Sequence, residues 1–232
     1  MPRAGLLLLP LLLCFGPETI GSIKPVTLKK IVDYVNQYGV NKQYSFAVSL
    51  GKDYCKDGSG LRQMLPTDDL QAMQKAINRA GGLYDKANKH IVAAAVNYLN
   101  ETAREHSEWR LLHSDQNRMS PVQMLLNQTH KNMSCLIFFT LNSPCVKTCL
   151  EKKNTYNILQ LVNDTFHPID NDYKAFVFQK IYEKDQGLDS KILLEAWHRL
   201  PNVPLFRCDN NNCRNCSEND PKTNTNACLD RR

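Results

Sequence analysis

Residues 134–141 read SCLIFFTL, a run that is apolar at odd and even positions alike. A strand of this kind has no face to offer water, so it must lie inside a sheet with layers packed on both sides. The rest of the chain must supply strands for its edges and helices for its faces. A length of 232 residues is enough for one such domain.

The periodicities supply both kinds of element. Residues 25–39 place Leu28, Ile31, Val32 and Val35 at helical spacing and stop at a glycine. Residues 44–51, YSFAVSLG, read as a strand, and residues 55–60 as a turn holding Cys55. Residues 66–82 predict a helix capped by Thr67 or Asp68 and ended by Gly81 and Gly82. Residues 90–99, HIVAAAVNYL, fit a buried strand or a helix, because a short apolar run does not separate the two. A short helix over 102–114 and a helical or irregular connection over 119–132 follow. Beyond the central run, residues 144–166 predict a helix with Pro144 in its first turn, 173–182 a strand, 187–200 a helix and 203–208 a last strand. Strand and helix alternate, which argues an α/β layer structure. From Asp209 the chain turns polar and rich in Asn and Cys, so the expected organisation is a leader over 1–22, a domain over 23–207 and a disulfide-linked tail over 208–232.

The leader carries one basic residue, Arg3, an apolar run over 6–15 and small residues at Gly21 and Ser22. That is the layout of a secretory signal peptide, too short to span a bilayer. No later segment has the eighteen or so apolar residues of a membrane helix, so the mature chain is expected to be soluble and secreted, without membrane insertion. Five Asn-x-Ser/Thr sequons, at Asn100, Asn127, Asn132, Asn163 and Asn215, agree with passage through a glycosylating compartment. The net charge of +6 favours solubility and polyanionic partners, but no Lys/Arg run is dense enough to argue nucleic-acid binding alone.

Two short motifs carry the chemistry: His106-Ser107-Glu108, and Ser143-Pro144-Cys145 with Cys149 four residues on. On a regular helix Cys145 and Cys149 share a face, close enough for one ion. A helix start also favours the thiolate form that a metal needs. One imidazole and two thiolates give zinc three protein ligands and leave a fourth position open, as in catalytic sites. Glu108 has no place in that ligand set and is free to move protons. In a secreted chain the competing reading of the same cysteines is a disulfide.

His-x-Glu followed by Pro-Cys-x-x-x-Cys resembles the signature of zinc-dependent nucleobase deaminases. The stretches LIFFTLNSPC and FVFQKIYEKDQGLDSKILL resemble the strand, loop and helix segments of AID/APOBEC-like deaminases. With the leader, the chain is similar to the secreted AID/APOBEC-like deaminases over residues 26–207, most strongly over 106–194. The resemblance implies a three-layer α/β/α cytidine-deaminase-like fold with a central five-stranded mixed sheet, and makes 90–99 the strand before the His-x-Glu helix. It implies zinc on His106, Cys145 and Cys149, with Glu108 as catalytic acid and base. Ser143 would lie beside the metal and Tyr182 would line the pocket, with Asn142 facing the substrate. The implied substrate is cytosine, in polynucleotide or nucleoside, converted to uracil, with nucleic-acid editing in extracellular defence as the setting. The alternative is a secreted glycoprotein of the same fold that binds a partner without catalysis.

Two departures stand out. Thirty-five residues separate Glu108 from Pro144, which places an insertion around Asn127 and Asn132. Asn142 stands where polynucleotide-acting relatives carry a tryptophan, removing a stacking surface. With Cys14 in the leader and two cysteines on the metal, Cys55, Cys135, Cys208, Cys213, Cys216 and Cys228 remain for three disulfides, with fifteen possible connectivities. Cys213-x-x-Cys216 also has the spacing of half a zinc site.

Overall fold

The computed structural model describes residues 23–229 apart from 102, 130–132, 218 and 220–224. The expected signal peptide and the Asn132 sequon therefore lie outside the described residues. The chain runs through helix α1 (Pro25–Asn36), strand β1 (Tyr44–Gly51), short helices α2 (Lys52–Asp57) and α3 (Leu61–Met64), and helix α4 (Thr67–Ile77). Strands β2 (Leu83–Tyr84), β3 (Ile91–Ala95), β4 (Asn97–Tyr98) and β5 (Arg104–Glu105) lead to helices α5 (Ser107–Leu112) and α6 (Pro121–Gln128). Strand β6 (Ser134–Asn142), helix α7 (Leu159–Phe166), strand β7 (Lys174–Lys180), helix α8 (Ser190–Trp197) and strands β8 (Leu205–Cys208) and β9 (Cys213–Asn215) complete the order.

The apolar run becomes β6, fourth in a sheet ordered β2-β3-β1-β6-β7-β8-β9. It pairs antiparallel with β1 and parallel with β7. Its odd residues, Cys135, Ile137 and Phe139, enter a core with α1 and α4; its even residues, Leu136 and Phe138, enter a second core with α5 to α8. Aromatic pairs cross the strand registers in both, Phe46 on Phe139 at 4.7 Å and Phe138 on Phe176 at 4.8 Å. Double-sided burial thus gives the three layers that such a strand requires.

Several expectations are corrected. The sheet has seven strands among the described residues, not five: β2 adds to one edge, and β9 folds back antiparallel on β8 at the other. Residues 90–99 do not form one strand, because β3 ends at Ala95 and the chain leaves the sheet to form the separate β4–β5 ribbon. Cys55 lies in helix α2, ended by Gly58 in a left-handed conformation (φ 68°) that glycine adopts without strain. Neither Thr67 nor Asp68 caps α4; Pro66 holds the N-cap, and Asp68 and Asp69 face the positive end of the helix from its first turn. No single helix covers 144–166. Side chains of Asn154 and Asn157 accept backbone N–H groups of Tyr156 and Leu159, so Asx turns outcompete the helix until Leu159.

Cys55–Cys135 ties α2 to the start of β6, Cys208–Cys213 bridges β8 to β9, and Cys216–Cys228 closes the tail. Cys213 and Cys216 therefore go to different disulfides rather than to one metal. Asn100 and Asn127 are exposed, while Asn163 on α7 and Asn215 on β9 are half-buried. No helix of the described residues is long and apolar enough to cross a membrane.

If β6 is the axis of both cores, Phe138→Ala lowers unfolding free energy by about 3–5 kcal/mol. Ile192→Ala, at a 47% exposed position, stays within about 0.5 kcal/mol. Urea denaturation with the disulfides intact measures both, and equal losses would contradict the assignment.

Candidate metal centre

At the carboxyl end of β6 the sheet changes from antiparallel pairing with β1 to parallel pairing with β7, the kind of point where open α/β sheets leave a crevice. Three groups converge there. His106 is the N-cap residue of α5, in extended conformation, so its ring points off the helix end instead of packing along it. Cys145 and Cys149 follow β6 directly.

His106 Nδ1 lies 3.8 Å from Cys145 Sγ and 3.4 Å from Cys149 Sγ, and the two sulfurs are 3.5 Å apart. A tetrahedral ion about 2.3 Å from each sulfur and about 2.1 Å from the nitrogen sets its donors about 3.6–3.8 Å apart. The triangle therefore fits one metal ion, and it is the group among the described residues whose donor atoms all lie within 4.8 Å of one another. Both cysteines are free thiols, although the other six described cysteines are paired.

The turn that brings the cysteines together is not the expected helix start. It is closed by the Leu150 N–H donating to the Cys145 carbonyl at 3.1 Å, one residue wider than an α-helical turn. A helix dipole therefore does not stabilise the thiolate. The hydrogen bond shared with Cys149, followed by the one to His106, holds the Cys145 thiol far below its usual range. Cys149, the other partner of that shared hydrogen bond and fully buried, is pushed well above its usual range. Burial would lower the His106 pKa, but the hydrogen bond with Cys145 and the charge of Glu108 raise it overall.

Glu108 is 1% exposed, and loss of water pushes its carboxyl upward against the opposing pull of His106. Its Oε1 accepts from Thr140 Oγ1 at 2.8 Å and from Gln43 Nε2 at 3.3 Å, and its Oε2 accepts from Ser107 Oγ at 3.2 Å. Gln43 also donates to Thr140 Oγ1, and its own Oε1 accepts the backbone N–H of Asn142 at 3.1 Å. The loop before β1 is thereby stitched to the end of β6 directly over the carboxylate.

Ser143 Oγ accepts the Tyr182 N–H at 3.0 Å, joining the loops after β6 and β7. Tyr182 lies beyond the end of β7 and takes a hydrogen bond from Arg104 Nη2 at 3.1 Å. These groups line a cleft of about 140 Å³ whose walls include Gln43, Tyr98, Arg104, Asn142, Ser143 and Tyr182, above His106, Glu108 and Cys145. All seven sequence-predicted metal, catalytic and substrate residues are thus brought to one place, with Cys149 behind the cleft wall. Trp109 packs on His113 at 4.0 Å, and His90 bonds the Ser49 carbonyl.

Sequence reasoning missed Gln43, Thr140 and Asp185. Thr140 had a signal, a lone hydroxyl near the end of a strand apolar on both faces. Asp185, 3% exposed, accepts the Val146 N–H at 3.0 Å and so pins the turn between the two cysteines. Nothing local in the sequence marks it.

The sequence profile of the family described as Secreted Novel AID/APOBEC-like Deaminase 1 matches residues 25–232. No curated protein and no solved structure matches the chain.

If Asp185 fixes the cysteine turn, Asp185→Ala weakens metal retention by about 10–100-fold, as loss of an outer partner does at other sites. Asp185→Asn keeps an oxygen acceptor for Val146 and stays near wild type. Metal content after dialysis against graded chelator checks both; equal loss in the two variants would point to charge instead of the hydrogen bond.

Proposed function

Because the chain belongs to the secreted AID/APOBEC-like deaminases, we propose that it is a zinc-dependent cytosine deaminase acting outside the cell. The supporting observation is the convergence of an imidazole, two thiols and a buried carboxylic acid on the floor of one cleft. His106, Cys145 and Cys149 hold the ion, and their charges sum with it to zero when both thiols are ionised. When bound, zinc supplies Lewis acidity and makes water a nucleophile at neutral pH.

The chain's own residues do the rest. Glu108 takes the proton of the attacking water and delivers it to the ring nitrogen beside the amino-bearing carbon. It then takes the second proton, from the oxygen just added to the ring, and passes it to the departing amino group, so ammonia leaves and a carbonyl remains. Burial raises its pKa, the direction that suits a group required to hold a proton as well as release one. Thr140, Gln43 and Ser107 fix the carboxyl, so its free lone pairs face the cleft rather than rotate. Asn142, Ser143 and Tyr182 line the cleft, and in this reading they meet the exocyclic groups and ring of the pyrimidine.

Three disulfides belong to an oxidising compartment, which supports secretion behind a cleaved leader over 1–22. Glycans on the Asn100, Asn127, Asn132, Asn163 and Asn215 sequons fit the same route. The domain over 23–207 would carry the chemistry, and the tail from Cys208, closed on itself by Cys208–Cys213 and Cys216–Cys228, is joined to it by the pairing of β9 with β8. Foreign nucleic acid is the substrate that an extracellular defence role supplies.

Metal analysis of the secreted protein should give about one zinc per chain. Incubation with cytidine and with cytosine-containing single-stranded DNA and RNA should yield uracil. Glu108→Gln, of nearly the same shape, should lower the rate by about 10²–10⁴-fold with zinc content unchanged. Zinc bound without uracil on any substrate would favour the binding-protein alternative.

A further inference from the structure

Tyr98 and Arg104 are directly opposed residues of the β4–β5 ribbon, so their side chains leave the same face of it. That face forms one wall of the cleft. Tyr98 is 69% exposed, an aromatic ring left standing in water at the cleft mouth. Arg104 is half-buried, yet among the described residues it makes no ion pair, and its guanidinium donates to the neutral Tyr182 hydroxyl. Three other arginines are spent on carboxylates: Arg110 pairs with Glu105, Arg118 with Asp85 and Arg214 with Asp209. A guanidinium with donors to spare, aimed into a cleft and steadied by a phenol, is matched to a phosphate, which takes two of its N–H groups at once. The ring beside it offers a surface on which a base can stack.

We propose that this ribbon face is a nucleotide clamp. Arg104 binds the phosphate of the nucleotide whose base enters the cleft, and Tyr98 stacks on the neighbouring base. The occupant is then a single-stranded polynucleotide. A free nucleoside has no anion to meet Arg104 and a free mononucleotide has no second base for Tyr98, and the cleft of about 140 Å³ admits a ring only when it is turned out of a helix. The clamp rests on the deaminase reading for the identity of the base below it, but its binding can be read without catalysis.

The test is fluorescence anisotropy of the full secreted chain with labelled cytosine-containing 12-mers of single-stranded DNA and of RNA, across a salt series. Arg104→Ala should weaken binding about tenfold and reduce the slope of log affinity against log salt by about 0.7, the loss of one phosphate contact on a single strand. Arg104→Lys keeps the charge and should keep the slope while losing part of the affinity. Tyr98→Ala, at an exposed ring that the fold does not need, should weaken binding about fivefold or more with the slope unchanged. The DNA and RNA arms show whether a 2′-hydroxyl is accepted. An unchanged slope in Arg104→Ala, displacement of the oligomer by cytidine or cytidine monophosphate at equal concentration, or equal displacement by oligoglutamate would overturn the clamp. If the slope changes as expected but no uracil forms, the clamp stands and the deaminase reading falls. If uracil forms and the slope does not change, the reverse holds.

Discussion

Everything in the molecule hangs on the burial of β6 from both faces. The strand splits the interior into two cores, one filled from β6 by Ile137 and Phe139 and the other by Leu136 and Phe138, and so fixes which helices lie on which side. Its amino end is anchored by Cys55–Cys135 and its length by pairing along both edges. Neither end can move independently. The carboxyl end therefore arrives in one place, and that end carries Thr140, Asn142, Ser143 and Cys145 in succession. A site built on the end of a fully buried strand inherits the rigidity of the core, which catalysis by positioning requires.

The site also imposes a cost that the fold has to absorb. A carboxyl group 1% exposed is destabilising unless its oxygens are hydrogen-bonded. Here the compensation comes from three segments: the start of β1, with Gln43 bonded to Glu108 and Ser45 to Ser107; Ser107 on α5; and Thr140 on β6. Ser45 and Thr140 are opposite one another in the β1–β6 register, so the pair places two hydroxyls under the helix that carries Glu108. The network explains why α5 needs only six residues: its first turn is held by side-chain bonds and its last by Leu111 and Leu112 in the core.

The layers were legible in the sequence because they depend on patterns confined to one segment at a time. A strand apolar on both faces, a helix with Leu28, Ile31, Val32 and Val35 in step, and a motif of fixed spacing are each local. The two extra strands were not legible, since β2 and β9 have two and three residues and exist only because a neighbour offers its edge. The expected helix over 144–166 was misread for a different reason: helix periodicity does not register side chains such as Asn154 and Asn157 that compete for backbone N–H groups. The metal triangle survives that misreading because a turn one residue wider still faces both sulfurs toward His106. Gln43 and Asp185 were illegible in principle, since their roles come from partners far along the chain: Gln43 bonds Glu108 and Thr140, and Asp185 bonds Val146.

Asn142 illustrates how a missing group can be misleading when read alone. Its place at the end of β6 holds no aromatic ring, and from the sequence this loss counted against a polynucleotide. In the folded chain Asn142 gives its backbone N–H to Gln43, which in turn holds Glu108, so the position is tied into the carboxyl network. The exposed ring on this cleft belongs instead to Tyr98, on a ribbon that periodicity had folded into a single strand. The ribbon leaves the main sheet after β3, so its face can bear an aromatic and a guanidinium without disturbing either core. Stacking and charge are thereby separated from the strand that positions the chemistry, and the rim can vary while the floor cannot.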